Sequence, residues 1–323
     1  MRRVARAGLA TSQDASRRVH VDLFGTALIA AASVQLGAIV IIAKLLTEKT
    51  LPVPFLLAFR FVVAAIVMAV LLSWRKEPLL AAHRERVALI GIGTLGYGLA
   101  ALLFFLSLRY GPTSTLALIV YSYPIFVVIG SVLLGQGLPA RLVVTAIVVG
   151  FCGVVFIVWT PGGGVAVRPL GVLLALLGAV AYAGYLTGGG RLVHRTGYMT
   201  ASLWTSGSAG VALVVFTVST GAARMPAGSQ WVMLFGISLL TASAFYCLFR
   251  GLRRLGSVKV AALGTVEPLS TAALAIIILH DQPTLGFAIG TPLIIAGAVT
   301  ASFARARPHR QKAPPQGLDA RTP

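Results

Sequence analysis

The sequence predicts an all-α membrane protein of ten transmembrane helices, built as two five-helix repeats that insert with opposite topology. Composition, the distribution of charge and an internal repeat together predict this fold. Hydrophobic residues make up 57% of the 323 residues and charged residues only 11%, with a mean hydropathy of +0.90. A soluble domain usually carries about 25% charged residues because its surface faces water. The chain therefore has too little polar surface for a water-soluble globule of this size.

The apolar runs are about 20 residues long, the length that crosses a hydrocarbon core of about 30 Å. The runs, bounded by charge or by Pro and Gly, predict helices near residues 23–45, 54–74, 87–108, 113–135, 139–159, 170–192, 199–220, 230–251, 257–279 and 284–303. These helices divide the chain into a basic tail (1–22), a first repeat (23–160), a linker rich in Pro and Gly (161–169), a second repeat (170–304) and a second basic tail (305–323).

The positive charges alternate with the predicted helices. One side of the membrane would hold 21 of the 27 Lys and Arg residues, and Arg60 would lie within a helix. The other side would hold only Lys44, Lys49, Arg109, Arg168 and Arg224. Cytoplasmic loops carry the excess of Lys and Arg. We therefore expect a multi-pass protein of the inner membrane with both termini in the cytoplasm and the linker in the periplasm.

The two halves share short patterns at a common offset of 144 to 145 residues. In the first half, 108–111 (LRYG), 123–124 (YP) and 133–136 (LLGQ) follow one another; in the second half, 252–256 (LRRLG), 267–268 (EP) and 278–281 (ILHD) do so. Five helices per repeat is an odd number, so the second repeat must insert upside down. Inverted repeats recur in secondary transporters, which bind substrate near the midplane between the halves.

The second-half pattern, together with 57–61 (LAFRF) in the second helix, resembles the EamA-type members of the drug/metabolite transporter superfamily. The resemblance covers residues 23–304 and implies secondary transport, often export, of amino acids, other metabolites or drugs. Segment 33–37 (SVQLG) is similar to bacterial amino-acid exporters of the same superfamily. The chain departs from the pattern at Gln136, where relatives have an acid, at Asp281, which follows His280, and at Tyr123 in place of the first Glu-Pro.

Glu267 is the only one of the eight acidic residues predicted to lie well inside a helix. An ionised group at the bilayer centre costs about 2.5–3.5 kcal/mol on insertion scales, so such a residue is a functional candidate. The adjacent Pro268 removes a backbone donor and is predicted to break the helix, which would free carbonyl groups for a solute. Glu267 is predicted to bind a proton or a substrate ammonium; the alternative is a structural carboxylate paired with Arg60 or a hydroxyl.

Arg60 is the only basic residue predicted well inside a helix. Its guanidinium suits a substrate carboxylate, although its long stem could instead reach the membrane interface. If Arg60 and Glu267 share one cavity, they form an ion-pair gate or a two-point grip on a zwitterion.

Several aromatic and polar residues complete the predicted site. Tyr121, Tyr123 and the helix-breaking Pro124 correspond to Glu267-Pro268 in the repeat and are predicted to form a pocket wall. Trp204 aligns with Arg60 at the 144-residue offset, and Gln35 is a polar group at membrane depth. The remaining tyrosines at membrane depth are interpreted as packing or interhelical hydrogen-bonding residues: Tyr97, Tyr182, Tyr185 and Tyr246.

The sequence also argues against several other functions. The net charge of +19 lies in the tails and in short gaps between apolar runs, so nucleic acid is not a predicted partner. The glycine-rich stretches 93–98 and 188–190 lack the Lys-Ser/Thr of a phosphate-binding loop, and the five His form no metal cluster. We expect no cofactor and no metal. The predicted partners are a small-molecule substrate, the lipid bilayer, protons as coupling ions and, as an option, a second copy of the chain.

The leading hypothesis is a secondary transporter that exports a small metabolite such as an amino acid by alternating access, coupled to protons through Glu267. A multidrug exporter of lipophilic cations is the alternative, with Glu267 as the counter-charge. A membrane enzyme or receptor is a remote alternative, because only one acid is predicted at membrane depth and catalysis needs converging groups.

Overall fold

A computed structural model of the chain describes residues 22–48, 51–110, 116, 119–135, 139–158, 168–279 and 285–303. Every regular element among these residues is helical. The helices are α1 (Leu23–Glu48), α2 (Val53–Trp74), α3 (His83–Ser107), α4 (Tyr123–Leu133), α5 (Arg141–Val158), α6 (Pro169–Thr196), α7 (Tyr198–Ser219), α8 (Gln230–Leu255), α9 (Ser257–Leu263), α10 (Val266–Leu279) and α11 (Leu285–Phe303). A short 3₁₀ turn, Leu108–Tyr110, follows α3.

Six of these helices are long and apolar enough to cross a membrane: α1, α2, α3, α6, α7 and α8. Three shorter apolar helices accompany them within the described residues, Tyr123–Leu133, Arg141–Gly153 and Ala288–Gly297. The chain is therefore a helical protein with several membrane-spanning segments. The sequence-based count of ten spans stays a prediction.

The third span contains an irregular segment that the sequence analysis did not predict. Residues Ile92–Gly98 form a π-helix within α3. Its glycines face neighbouring helices closely, because a Cβ placed on Gly96 would lie only 2.9 Å from the Cβ of Tyr185. Short π-helical segments inside α-helices often mark functional sites, and this one carries Tyr97 into the interior.

The predicted fourth and ninth helices are both interrupted in the structure. In each case the break comes before the proline, so the proline does not lie in the interior of a helix. Residues 119–120 are helical, Tyr121 and Ser122 form a turn, and α4 begins at Tyr123. Likewise α9 ends at Leu263 and α10 begins at Val266. Pro124 and Pro268 therefore lie in the first turn of a new helix, where a missing N–H is tolerated. Pro268, four residues after Gly264, has no N–H with which to continue the helical hydrogen-bond pattern. The Gly264 carbonyl accepts a hydrogen bond from the Glu267 N–H instead, at 3.0 Å.

The contacts between helices come in pairs: replacing each helix by its counterpart in the other half turns one contact of a pair into the other. The contact of α1 with α8 has its counterpart in the contact of α6 with α3, and α2 with α8 corresponds to α7 with α3. The contact of α1 with α10 corresponds to that of α6 with α4. Two further contacts, α2 with α7 and α5 with α11, map onto themselves. Each half therefore packs mainly against the other, and the interior lies between them.

Small residues matched in the sequence repeat meet across the contact of α5 with α11. A Cβ on Gly153 would lie 2.7 Å from the Gly290 carbonyl oxygen. A Cβ on Gly297 would lie 2.8 Å from the Ala146 carbonyl oxygen. Gly290 and Gly297 follow Ala146 and Gly153 by 144 residues, so one close contact is the image of the other. Larger side chains at these positions would force the two helices apart.

Many of the basic residues lie at one end of the bundle, which we call the basic end. Two ion pairs mark it, Asp22–Arg254 and Glu85–Arg195. Asp22, before α1, pairs with Arg254 near the end of α8 at 2.8 Å. Glu85 in α3 lies 3.8 Å from Arg195 in α6. The Arg191 guanidinium donates to the Leu134 carbonyl. These contacts bring together the ends of five helices at one side of the bundle.

Candidate functional site

A cavity of about 100 Å³ lies between the two halves. Both halves line the cavity: Leu36, Ile39, Val40, Arg60, Tyr97, Ala100, Ala101, Phe104, Phe105, Val120, Tyr121, Tyr123, Tyr182 and Glu267. Most of these side chains are apolar or aromatic, and the two charged ones are Arg60 and Glu267.

The cavity extends from the middle of the bundle away from the basic end. Arg60 lies in the first third of α2, which begins at the opposite end, and residues 97–105 lie in the second half of α3, which begins at the basic end. Glu267 and Tyr182 lie near the middle of their spans. Glu267 is therefore at the deep end of the cavity.

Glu267 lies in the first turn of α10, directly after the break between α9 and α10. The Tyr121 hydroxyl, in the turn before α4, is within hydrogen-bonding reach of its carboxylate. Thr271 Oγ1 donates to the Glu267 carbonyl at 3.0 Å, and the Thr271 side chain also reaches Tyr121. The two helix breaks thus bring a carboxylate and a phenol together across the two halves.

Arg60 lies in α2 and is only 4% exposed. Its guanidinium lies 4.5 Å from the centroid of the Phe61 ring and within reach of the Tyr97 hydroxyl. Its Nε atom is buried without a hydrogen-bond partner, and none of the described carboxylates approaches it within the 4.0 Å of a salt bridge. A buried cation without a close counter-ion is costly. Its electrostatic interaction with Glu267 across the cavity compensates only partly.

Tyr123 lines the cavity, and its hydroxyl lies against Gly264, which is not part of the lining. A Cβ on Gly264 would collide with the Tyr123 hydroxyl. The Tyr123 ring also packs edge-on against the ring of Tyr182, with centroids 4.7 Å apart. Tyr123, which begins α4, therefore contacts Gly264, which lies at the break between α9 and α10.

The structure brings together four of the predicted site residues and places two elsewhere. Arg60, Tyr121, Tyr123 and Glu267 line the cavity. Gln35 is absent from its lining, and the Gln35 Oε1 atom is buried without a hydrogen-bond partner.

Trp204 lies toward the basic end, outside the cavity. Its indole Nε1 donates to the Leu79 carbonyl at 2.9 Å, and the Arg86 guanidinium lies 5.7 Å from its ring centroid. The alignment of Trp204 with Arg60 favoured one shared cavity, but α2 and α7 begin at opposite ends of the bundle, so the two matched positions lie toward opposite ends.

Two cavity residues were interpreted from the sequence as packing residues, Tyr97 and Tyr182. The Tyr97 ring contacts those of Phe61, Tyr185 and Phe245 at centroid distances of 4.8 to 5.3 Å. Its hydroxyl faces Arg60. The signal in the sequence was the glycine-rich stretch around Tyr97, since close helix approach there allows a π-helix. Within the described ranges, no group of three His, Cys, Asp or Glu could hold a metal ion.

The comparisons with known proteins agree with this architecture. The model of the EamA-like transporter family matches the chain twice, at residues 23–159 and 169–303. The uncharacterized inner membrane transporter YicL of Salmonella typhimurium is 25% identical over 224 residues, which cover 68% of this chain and 74% of YicL. The uncharacterized transporter YcbK of Bacillus subtilis is 25% identical over 211 residues, 62% of this chain and 67% of YcbK.

A solved crystal structure shares the fold, with a TM-score of 0.73 at 22% sequence identity. The similarity covers 85% of this chain and 96% of the solved one. Two family matches, one in each half, agree with the paired packing of the helices and with the central cavity. The chain belongs to the EamA-like transporter family and is a membrane-embedded transporter.

Proposed function

We propose that the protein is a secondary transporter that exports a small zwitterionic metabolite, such as an amino acid, in exchange for protons. One observation carries this proposal: a single cavity between the two halves holds both a buried arginine, Arg60, and a buried carboxylate, Glu267. The two charges have opposite signs and face the same small volume. A zwitterion presents a carboxylate to Arg60 and an ammonium to Glu267.

The proposal includes ten membrane spans in two inverted repeats, 23–160 and 170–304, joined by a periplasmic linker, 161–169. The paired packing of the halves and the two family matches support the repeats. The basic end would lie in the cytoplasm, because cytoplasmic loops carry the excess of Lys and Arg. Both terminal tails, 1–22 and 305–323, would then lie in the cytoplasm. The membrane would be the inner membrane, since the relative YicL is named as an inner membrane transporter.

The size and lining of the cavity support a small substrate with an apolar part. A cavity of about 100 Å³ is smaller than the pockets of roughly 300–1,000 Å³ that bury drug-sized ligands, which favours a small metabolite. The walls between the two charges are apolar or aromatic, including Leu36, Ile39 and Phe104. Arg60 binds a carboxylate with two parallel hydrogen bonds, which favours a planar anionic group over a point charge.

Exchange follows from the chemistry of Glu267. A carboxylate deep in a membrane protein is stable when it is protonated or paired with a cation. A proton and a substrate ammonium compete for the same oxygens, so Glu267 binds one or the other. If the halves reorient only when Glu267 is neutralised, each outward step carries substrate and each return carries a proton. The inward proton gradient then drives export.

A multidrug exporter of lipophilic cations is the second candidate, favoured by the aromatic rings of Tyr97, Phe104, Phe105, Tyr123 and Tyr182. Cations interact favourably with such rings. The buried Arg60 argues against it, since a cationic solute would be repelled at one end of the cavity. A membrane enzyme or receptor has less support, because the chain belongs to a transporter family.

The test is transport in proteoliposomes with an imposed pH gradient, after a thermal-shift screen of the purified protein with amino acids and with cationic dyes. We expect a pH gradient to accelerate amino-acid flux, and Glu267→Gln to abolish this acceleration. Exchange of substrate for substrate should persist at higher substrate concentration, because the amide oxygen still accepts a hydrogen bond from the ammonium but lacks the charge. Glu77→Gln, which removes a carboxylate outside the cavity, is the matched control and should leave flux unchanged. Gradient-driven flux that survives in Glu267→Gln would contradict the coupling role.

A further inference from the structure

A second, much smaller void lies on the other side of Glu267. It measures about 10 Å³ and lies toward the basic end. Its lining comes from α1, α6, α8, α9 and the two helix breaks: Ile29, Ala32, Ser33, Leu36, Tyr123, Tyr182, Leu186, Leu248, Val260, Gly264 and Glu267. Leu36, Tyr123, Tyr182 and Glu267 also line the large cavity, so these four side chains form the layer between the two spaces.

Apart from α2, whose image α7 does not line the void, each helix around the cavity has its image around the void. The cavity is lined by α1, α2, α3, α6 and the fourth and ninth spans. Exchange of the halves converts α3 into α8, α6 into α1 and the fourth span into the ninth. Three residue pairs match at the 144-residue offset: Leu248 corresponds to Phe104, Gly264 to Val120 and Glu267 to Tyr123. The other residues that line the void have no counterpart in the cavity lining.

We propose that this void is the closed cytoplasmic half of the solute path, and that Ser33, Leu248 and Val260 contact the solute when the protein faces inward. The present structure is then the outward-facing state, with its open cavity on the periplasmic side. This inference rests on the transport proposed above and adds a second set of solute-contacting residues.

The layer between the two spaces is thin. At its centre, the Tyr123 hydroxyl lies against Gly264, where no side chain intervenes. Movement of α4 relative to α9 separates these two residues and joins the void to the cavity. Further toward the basic end, Ser131 of α4 and Ser257 of α9 face each other at 3.5 Å, a weak contact at the limit of hydrogen bonding.

The basic end of the path is closed by α1 packing against α8. A Cβ on Gly25 would lie 3.0 Å from Leu255 Cγ, and the ring of Phe24 lies 4.8 Å from the Arg250 guanidinium and 5.2 Å from that of Arg254. The Asp22–Arg254 ion pair spans the same junction at 2.8 Å. Exposed ion pairs of this kind contribute little to stability. Such a junction holds the end closed and still opens in each transport cycle.

Cysteine accessibility tests the inference. The chain has two free cysteines, Cys152 and Cys247, and both are replaced by alanine to give the background. Ser33→Cys and Leu248→Cys are introduced singly, with the neighbouring Val34→Cys as a matched control, because Val34 is 49% exposed on the outer surface of the bundle. A membrane-impermeant maleimide is added to vesicles of either orientation, with and without Asp22→Asn.

We expect Ser33→Cys and Leu248→Cys to react from the cytoplasmic side several-fold faster than Val34→Cys, and faster still with Asp22→Asn. Ala101→Cys, in the large cavity, should react from the periplasmic side and more slowly with Asp22→Asn. Equal rates for Ser33→Cys, Leu248→Cys and Val34→Cys in both backgrounds would overturn the inference.

A bulky side chain provides a second measurement. Ser33→Trp should fill the void and stop flux, while Ala101→Cys in the same protein keeps its wild-type labelling from the periplasmic side. Wild-type flux in Ser33→Trp would overturn the inference. Labelling is measured without substrate, so the expected labelling pattern can be absent even when proteoliposome flux is intact. Absence of any flux in the wild type would instead count against the proposed function.

Discussion

The hydroxyl of Tyr123 lies directly against Gly264, so that the start of α4 contacts the break between α9 and α10. Glycine is required at position 264 because a Cβ there would occupy the position of the tyrosine oxygen. The contact joins the two halves at the deep end of the cavity, three residues before Glu267. Variants that remove the Tyr123 hydroxyl or enlarge Gly264 therefore test how tightly these two residues must pack.

Gly264→Ala should destabilise the protein and reduce transport, because overpacking of a tight interior contact costs about 1–3 kcal/mol. Tyr123→Phe removes the oxygen with which the new methyl group collides. The double variant should therefore recover a large part of the melting temperature that Gly264→Ala loses. Thermal unfolding of the four proteins in detergent measures the coupling. Strictly additive effects would show that the two side chains do not compete for the same space.

Arg60→Lys should weaken binding of a carboxylate-bearing substrate by roughly ten- to hundred-fold. The reason is the loss of hydrogen bonds to a charged group, which contribute about 1.5–3 kcal/mol, and lysine lacks the planar fork. Binding of a cationic dye should not weaken. Ligand-induced thermal shifts measure both, with Arg109→Lys, which lies beyond α3 and outside the cavity lining, as the control. An equal loss for carboxylate and cation would indicate a purely structural role for Arg60.

Gly37→Ala should reduce transport, because α1 approaches α10 closely at this residue. A Cβ on Gly37 would lie 2.9 Å from the Thr271 backbone nitrogen and 3.0 Å from Ser270 Cβ. Displacement of this part of α10 would move Thr271 and with it the hydroxyl cluster around Glu267.

Gly184→Ala is the matched control for Gly37→Ala. Nothing lies within 4 Å of a Cβ at Gly184 in α6. Alanine there should be neutral or stabilising by up to about 1 kcal/mol through helix propensity. Proteoliposome flux and melting temperature should separate the two variants, and similar behaviour of both would contradict the close contact at Gly37.

The Asp22–Arg254 junction should be insensitive to pH across the physiological range. The hydrogen bond from Arg254 lowers the pKa of the Asp22 carboxyl below its ordinary value of 3.8. A carboxyl with a lowered pKa stabilises the folded state above its ordinary pKa and loses this effect as pH falls through the lowered value. Melting temperatures of wild type and Asp22→Asn should therefore differ by a constant amount from about pH 8 to about pH 5. A difference that changes within that range would contradict this assignment.

The sequence by itself determined the class of the protein and its division into two halves. Scarcity of charge predicts burial in lipid, because an ionised group at the bilayer centre is costly. The same scarcity singled out Glu267 and Arg60, since each is the only residue of its sign predicted well inside a helix. The 144-residue offset predicted the repeat, and the facing contacts of Gly153 and Gly297 agree with it.

Only the tertiary structure decided which of these residues meet. Arg60 and Glu267 are 207 positions apart in the chain, and their shared cavity depends on α2 and α10 facing one interior. The glycine-rich stretch around Tyr97 permits close approach of α6 and α7, but only the packing of these helices shows that a π-helix forms there and that Tyr97 faces Arg60. Trp204, equivalent to Arg60 by alignment, lies toward the other end because α7 begins at the basic end whereas α2 begins at the opposite end. Local sequence sets what each helix can bury, but the packing of one half against the other decides which side chains share a cavity.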